Sequence, residues 1–154
     1  MTVQNPPEHY HSLTVYLGME RAAEAIEFYK KAFGATEEFR LNGPDGRVGH
    51  AALRIGNSML MLSEPCEQGM FDSPRSEGKP SFGLYLYVEN ADEVFGTAIE
   101  AGGIEIMPVA DQFYGDRSGT LKDPYGHVWF VATHTQDLTP DEIRRRAEEM
   151  FKQG

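Results

Sequence analysis

The chain has 154 residues, 40% of them apolar and 25% charged, with a formal net charge of −10 at pH 7. That balance fits one soluble globular domain with a real core and excludes a nucleic-acid binder, which needs clustered basic residues. No apolar run approaches membrane-spanning length, so no membrane partner is expected.

The start, Met1 to Ser12, is polar and proline-containing and does not read as a signal peptide. Leu13, Val15 and Leu17 alternate through a first strand and should face a helix, leaving Thr14 and Tyr16 on the opposite face. A helix is predicted over about Glu20–Phe33: Ala22, Ile26, Tyr29 and Phe33 share one stripe, and Gly34 is a left-handed stop. Strands are then expected at about Ala35–Leu41, Val48–Ile55 and Ser58–Ser63, separated by Asn42-Gly-Pro-Asp-Gly46 and Gly56-Asn57 turns. Pro65–Pro80, rich in Pro, Gly and Ser, reads as a linker or a mobile flap, and Cys66 within it has no flanking base to activate it. As the only cysteine it forbids an intrachain disulfide, which suits a reducing compartment and makes a cytoplasmic location the expectation.

The second half starts over. Leu84, Leu86 and Val88 alternate on a strand whose other face carries Gly83, Tyr85 and Tyr87. Asn90 and Glu93 form a capping box for a helix that ends at Gly102-Gly103. Strands follow at about Glu105–Pro108, Gln112–Leu121 and His127–Ala132, the last after the turn Asp123-Pro-Tyr-Gly126. Thr139-Pro-Asp-Glu142 opens a last helix to about Lys152, whose stripe Ile143, Ala147 and Phe151 can pack on a second subunit or, the commoner case, on its own domain.

A shift of 69 positions lays Ser12–Gly34 on Ser81–Gly103 without a gap, with eight of the 23 pairs identical, among them Tyr16/Tyr85 and Ala22/Ala91. The fold class is therefore α+β: one domain of two pseudo-symmetric βαβββ modules, about residues 12–64 and 82–134, plus a C-terminal helix over about 139–152. The two copies are expected to share a surface between the halves.

The paired modules, the helix ending FYKKAFG and the closing turn DPYGH resemble the vicinal oxygen chelate superfamily of glyoxalases, dioxygenases and bleomycin-binding proteins. FYKKAFGA, GHAALRIGNSMLML, FYGDRSGTLKDPYGHVWFVATH and LTPDEIRRR look like its PhnB-like branch. The resemblance covers about residues 12–150. It implies that the modules form a curved open sheet around a cavity that holds the ligand, a homodimer, and in metal-dependent members four side-chain ligands on four strands. Carried over by register, those four positions are Thr14, Met61, Gly83 and Phe130. Glycine and phenylalanine have no donor and a thioether is soft, so no divalent metal or other cofactor is expected. The five histidines show no metal-motif spacing; His50 is the best candidate for a polar group in the cavity, though a structurally satisfied histidine is the commoner case.

The expected cavity face then holds Thr14, Tyr16, His50, Met61, Tyr85, Tyr87 and Phe130, which suits a planar or partly apolar ligand as well as it suits simple filling. Tyr114-Gly-Asp-Arg117 has two readings. Arg117 can clamp a carboxylate or phosphate with Asp116 as a base, or Asp116 and Arg117 can pair to fix a bulge. Two functions compete: a small-molecule binder, whose acidity would suit a cationic ligand as in the bleomycin-binding relatives, and an enzyme with metal-free acid/base chemistry or an atypical metal site.

Overall fold

The computed structural model describes residues 2–66, 68–74 and 78–153. The first module contains β1 (Val15–Gly18), α1 (Ala22–Phe33), β2 (Thr36–Asn42), β3 (Val48–Ile55) and β4 (Ser58–Ser63); the second contains β5 (Gly83–Tyr87), α2 (Ala91–Glu100), β6 (Ile104–Asp111), β7 (Asp116–Lys122) and β8 (Val128–His134). Each forms its own four-stranded sheet, in the orders β1-β4-β3-β2 and β5-β8-β7-β6, with the first pair parallel and the others antiparallel. The expected duplication is present, as two like sheets with no closed barrel.

Repeat mates occupy equivalent places. Ala22 and Ala91 are the first residues of their helices. Each has its backbone N–H held by a side chain from the far end of its own sheet: Glu64 Oε1 at 3.0 Å and Thr133 Oγ1 at 2.8 Å. The two capping residues are themselves 69 positions apart, so the device was duplicated with the chain. Asn90 also accepts from Glu93 N as the capping box predicts, at 3.1 Å.

Both helices lie on the same side of their sheets. Leu17, Leu53, Leu62, Leu121 and Val131 are fully buried there, each contributing about 1.5–3 kcal/mol. The core runs on between the halves, because Phe33 and Tyr29 of α1 pack on Trp129 of β8 with ring centroids 4.4 and 5.3 Å away. Pro65–Pro80 crosses this junction. Gly18 has no Cβ because one would meet Asp72 O at 2.7 Å, so the connecting chain lies directly on the end of β1. Residues 67 and 75–77 of that segment lie outside the described residues.

Four expectations are corrected. Leu13 does not face a helix: β1 begins at Val15, and Leu13 is 91% exposed. α1 begins at Ala22 rather than Glu20, because Arg21 takes a left-handed conformation. Strand does not run over 112–121: β6 extends to Asp111, tolerating Pro108 because it is an edge strand, and Gln112–Gly115 is the turn before β7. The C-terminal helix α3 (Pro140–Gln153) has the predicted Thr139 cap, whose Oγ1 accepts from Glu142 N, but its stripe packs on the domain only in part: Ile143 and Ala147 are half-buried and Phe151 is 78% exposed. Among the described residues no helix is long and apolar enough to cross a membrane.

Candidate functional site

Alternation along each strand sends one set of side chains to the helices and the other to an open face. On the first sheet the open face carries Tyr16, His50 and Met61. Register places Met61 beside Tyr16 across β1 and β4, and Tyr16 Oη is hydrogen-bonded to His50 Nδ1 at 3.0 Å. Phe71, from the connecting segment, stacks on Tyr16 at 4.9 Å with 7° between the rings. Phe39 and Leu41 stand on the same face, 51% and 55% exposed.

The second sheet's open face holds the densest polar chemistry of the chain. Asp116 begins β7 and is buried. The hydroxyls of Tyr85 and Tyr87 donate to its Oδ2 at 2.7 and 3.0 Å, and His134 Nδ1 lies 2.8 Å from its Oδ1. The other ring nitrogen of His134 meets Asp137 at 2.8 Å, and Tyr114 Oη lies 3.4 Å from Tyr85 Oη. Burial alone would raise the Asp116 carboxyl, but the bonds from His134, Tyr85 and Tyr87 outweigh it and hold its pKa below the usual range. His134 is pushed the other way, held above the usual imidazole value by its bonds to Asp116 and then Asp137. Burial, then the bonds to Tyr114 and Asp116, raises Tyr85 above the ordinary phenol value; burial and Asp116 raise Tyr87. The result is a buried carboxylate that orients an exposed, readily charged imidazole. Phe130 extends the face, with its ring stacked on Tyr85 at 5.5 Å.

Arg117 does not join this group. One residue along the strand from Asp116, it points to the helix side, where it grips Asp92 of α2 at 2.7 and 2.9 Å and Asp111 at 3.2 Å. The structure brings Tyr85, Tyr87, Tyr114, Asp116 and Phe130 together, and Tyr16, His50 and Met61 together, in two separate groups. Sequence reasoning passed over His134, setting it just beyond the last strand. The available signal was alternation, since residues 130, 132 and 134 share a face once β8 runs to His134.

Thr14 and Gly83 line one cavity of about 480 Å³ between the edge strands β1 and β5, whereas Phe130 borders a different one with Gly83. Met61 borders neither. A side chain at 83 would stand 2.8 Å from Phe130 Cε2, so the ring fills the space a ligand side chain would need. These four residues do not fit a divalent metal in donor type or in arrangement. Among the described residues no group of three or more His, Cys, Asp or Glu is placed to hold one elsewhere.

A second buried carboxylate does structural work. Asp123 Oδ2 accepts from Tyr29 Oη at 2.7 Å and Trp129 Nε1 at 2.9 Å, and Oδ1 accepts the backbone N–H of Tyr125 and of His127, both at 2.9 Å. His127, also buried, is hydrogen-bonded through Nε2 to Gly18 O of the first module at 3.0 Å. The DPYGH turn is thus the rivet between the modules.

The family model of the Glyoxalase/Bleomycin resistance protein/Dioxygenase superfamily matches residues 11–131. An uncharacterized protein of Mycobacterium bovis is 38% identical over 136 residues, 86% of this chain and 90% of the relative. Among solved structures, TioX of Micromonospora sp. ML1 is similar with a TM-score of 0.65 at 22% identity, covering 80% of this chain and 98% of that one. The PhnB protein of Bacillus cereus gives 0.63 at 22% identity, covering 80% and 99%. At these identities the structural matches speak to fold alone.

Proposed function

The chain belongs to the Glyoxalase/Bleomycin resistance protein/Dioxygenase superfamily, and from that premise we propose that it is a small-molecule-binding protein whose usual metal site is degenerate and which works as a homodimer. One observation carries the reading: the open faces leave aromatic and aliphatic side chains in solvent around a few oriented polar groups. Tyr85, Tyr87, Phe39 and Met107 are between 42% and 58% exposed. A monomer rarely leaves such surface bare, and rings with hydroxyl tips suit a planar or partly apolar ligand. A second copy set against these faces would turn two open sheets into an enclosed pocket. A cytoplasmic setting suits the single free Cys66.

The test combines sedimentation equilibrium with a thermal-shift screen of small molecules and metal analysis after exposure to divalent ions. A dimer, ligand-induced stabilisation without turnover and negligible retained metal support the reading. A monomer that no compound stabilises, or stoichiometric retention of one divalent ion, overturns it.

A second reading, metal-free acid/base chemistry, is favoured by one feature: buried Asp116 orients the half-exposed imidazole of His134. In that case His134→Gln abolishes turnover while ligand-induced stabilisation persists.

A further inference from the structure

We propose that the ligand of the second module's open face is an acid, a compound with an apolar or ring-like body and one oxyanion, held by Lys122 and Lys79. The inference rests on the reading of that face as a small-molecule site and adds the charge of its occupant.

A cavity of about 400 Å³ lies at the β5 end of this face, within the size range of small-ligand sites. Phe82, Ile106, Val128 and Phe130 give it an apolar lining, and Lys79 and Lys122 contribute its only charges. No carboxylate borders it among the described residues. Lys30 has Glu27 and Glu37 within 3.4 Å; among the described residues neither Lys79 nor Lys122 has a carboxylate within 4.0 Å. Carboxylates border adjoining cavities: Glu20 and Asp123 share one with Lys122, and Asp72 shares another with Lys79. In a chain of net charge −10 this is a local reversal of sign. Two ammonium groups beside an apolar lining, Lys79 exposed and Lys122 half-buried, give the cavity a local positive potential that favours an anion.

The position sharpens the point. Gly83 and Phe130, two of the four places where the resemblance puts metal ligands, both line this cavity. They cannot hold a cation there. The positive charge that a metal would present to a ligand oxygen comes instead from lysine, and the Phe130 ring takes up space that a coordinating side chain would occupy. The acidity of the whole chain points to cationic partners; the lining of this cavity points the other way.

The experiment titrates the ¹⁵N-labelled full chain with benzoate, phenyl phosphate, benzamide and benzylammonium, and follows amide shifts at low and high salt. Benzoate or phenyl phosphate is expected to bind, with shifts centred on Gly83, Thr120 and Phe130 and affinity falling as salt rises. The better of the two tells carboxylate from phosphate. Benzamide should bind about tenfold more weakly, and Lys122→Met should cost about tenfold in anion affinity, with Lys122→Arg retaining it. Lys79→Met, on the connecting segment, provides a variant remote from any strand should Lys122→Met fail to fold. Benzamide or benzylammonium binding as tightly as benzoate at this site overturns the acid inference and leaves the small-molecule reading standing. Anion binding unmoved by both methionine variants does the same. Failure of all four probes also overturns the inference, whereas the broader reading stands or falls on the compound screen.

Discussion

Two aspartates bracket β7, and both are buried, yet they have opposite surroundings. Asp123 takes its donors from backbone and from the enclosed side chains of Tyr29 and Trp129, which solvent does not reach. Asp116 takes its donors from Tyr85, Tyr87 and His134, whose rings reach solvent and of which one is an imidazole held above its usual value by Asp116 itself. The first arrangement is fixed at folding. The second can exchange partners with a ligand or with protons, which makes it the candidate functional one of the pair. A buried carboxylate is thus diagnostic only through the freedom of its donors.

The strongest way to break this contrast is Asp123→Ala, which leaves a buried phenol, an indole N–H and two backbone amides without an acceptor. A loss of about 3–5 kcal/mol in denaturant unfolding is expected. Asp116→Asn should lose less, about 1–3 kcal/mol, because its donors can turn to water, but should change ligand response more than Asp123→Asn does. If the Asp116 variant proves the less stable of the two, the comparison fails.

The pH dependence sharpens it further. His134 has a raised value in the folded state, so its contribution is complete below about pH 6.5 and is lost as pH rises through the folded value. Asp116 has a lowered value, so its contribution is present above about pH 4 and is lost as pH falls through the folded value. His134→Gln should therefore flatten the decline in stability on the alkaline side of pH 6.5, measured by thermal unfolding across pH 5–9. An unchanged slope would show that the imidazole is not coupled to the carboxylate. The smallest effect is expected of Tyr87→Phe, about 0.5 kcal/mol, since Asp116 keeps two other donors and Tyr87 is 58% exposed.

Legibility followed the range of the interactions. The 69-residue repeat gave both modules, because Tyr16/Tyr85 and Ala22/Ala91 sit at equivalent points of equivalent elements. Asn90, Thr139 and Gly34 were legible as caps because their partners are within a turn. Glu64 capping Ala22 across 42 residues was not legible, nor was Arg21 as the residue that delays the helix. In the site, Tyr85 and Tyr87 were legible by strand alternation, and Asp116 as part of the polar Tyr114-Gly-Asp-Arg117 segment. Their convergence on His134 was not, because β7 starts four residues later than expected and β8 ends two residues later, which hides which side chains share a face. Arg117 was placed beside Asp116 by adjacency in sequence, whereas adjacent strand residues point apart.

The rivet at Asp123 bears on how the duplicated chain folds. Tyr29 belongs to the first module and Asp123 to the second, and His127 reaches back to Gly18. Cut at the connecting segment, either half would keep its hydrogen-bonded sheet but expose Phe33, Tyr29 or Trp129 and strand a buried polar group. The two copies have given up autonomy, and the expected result is a single cooperative unfolding transition shared by both halves.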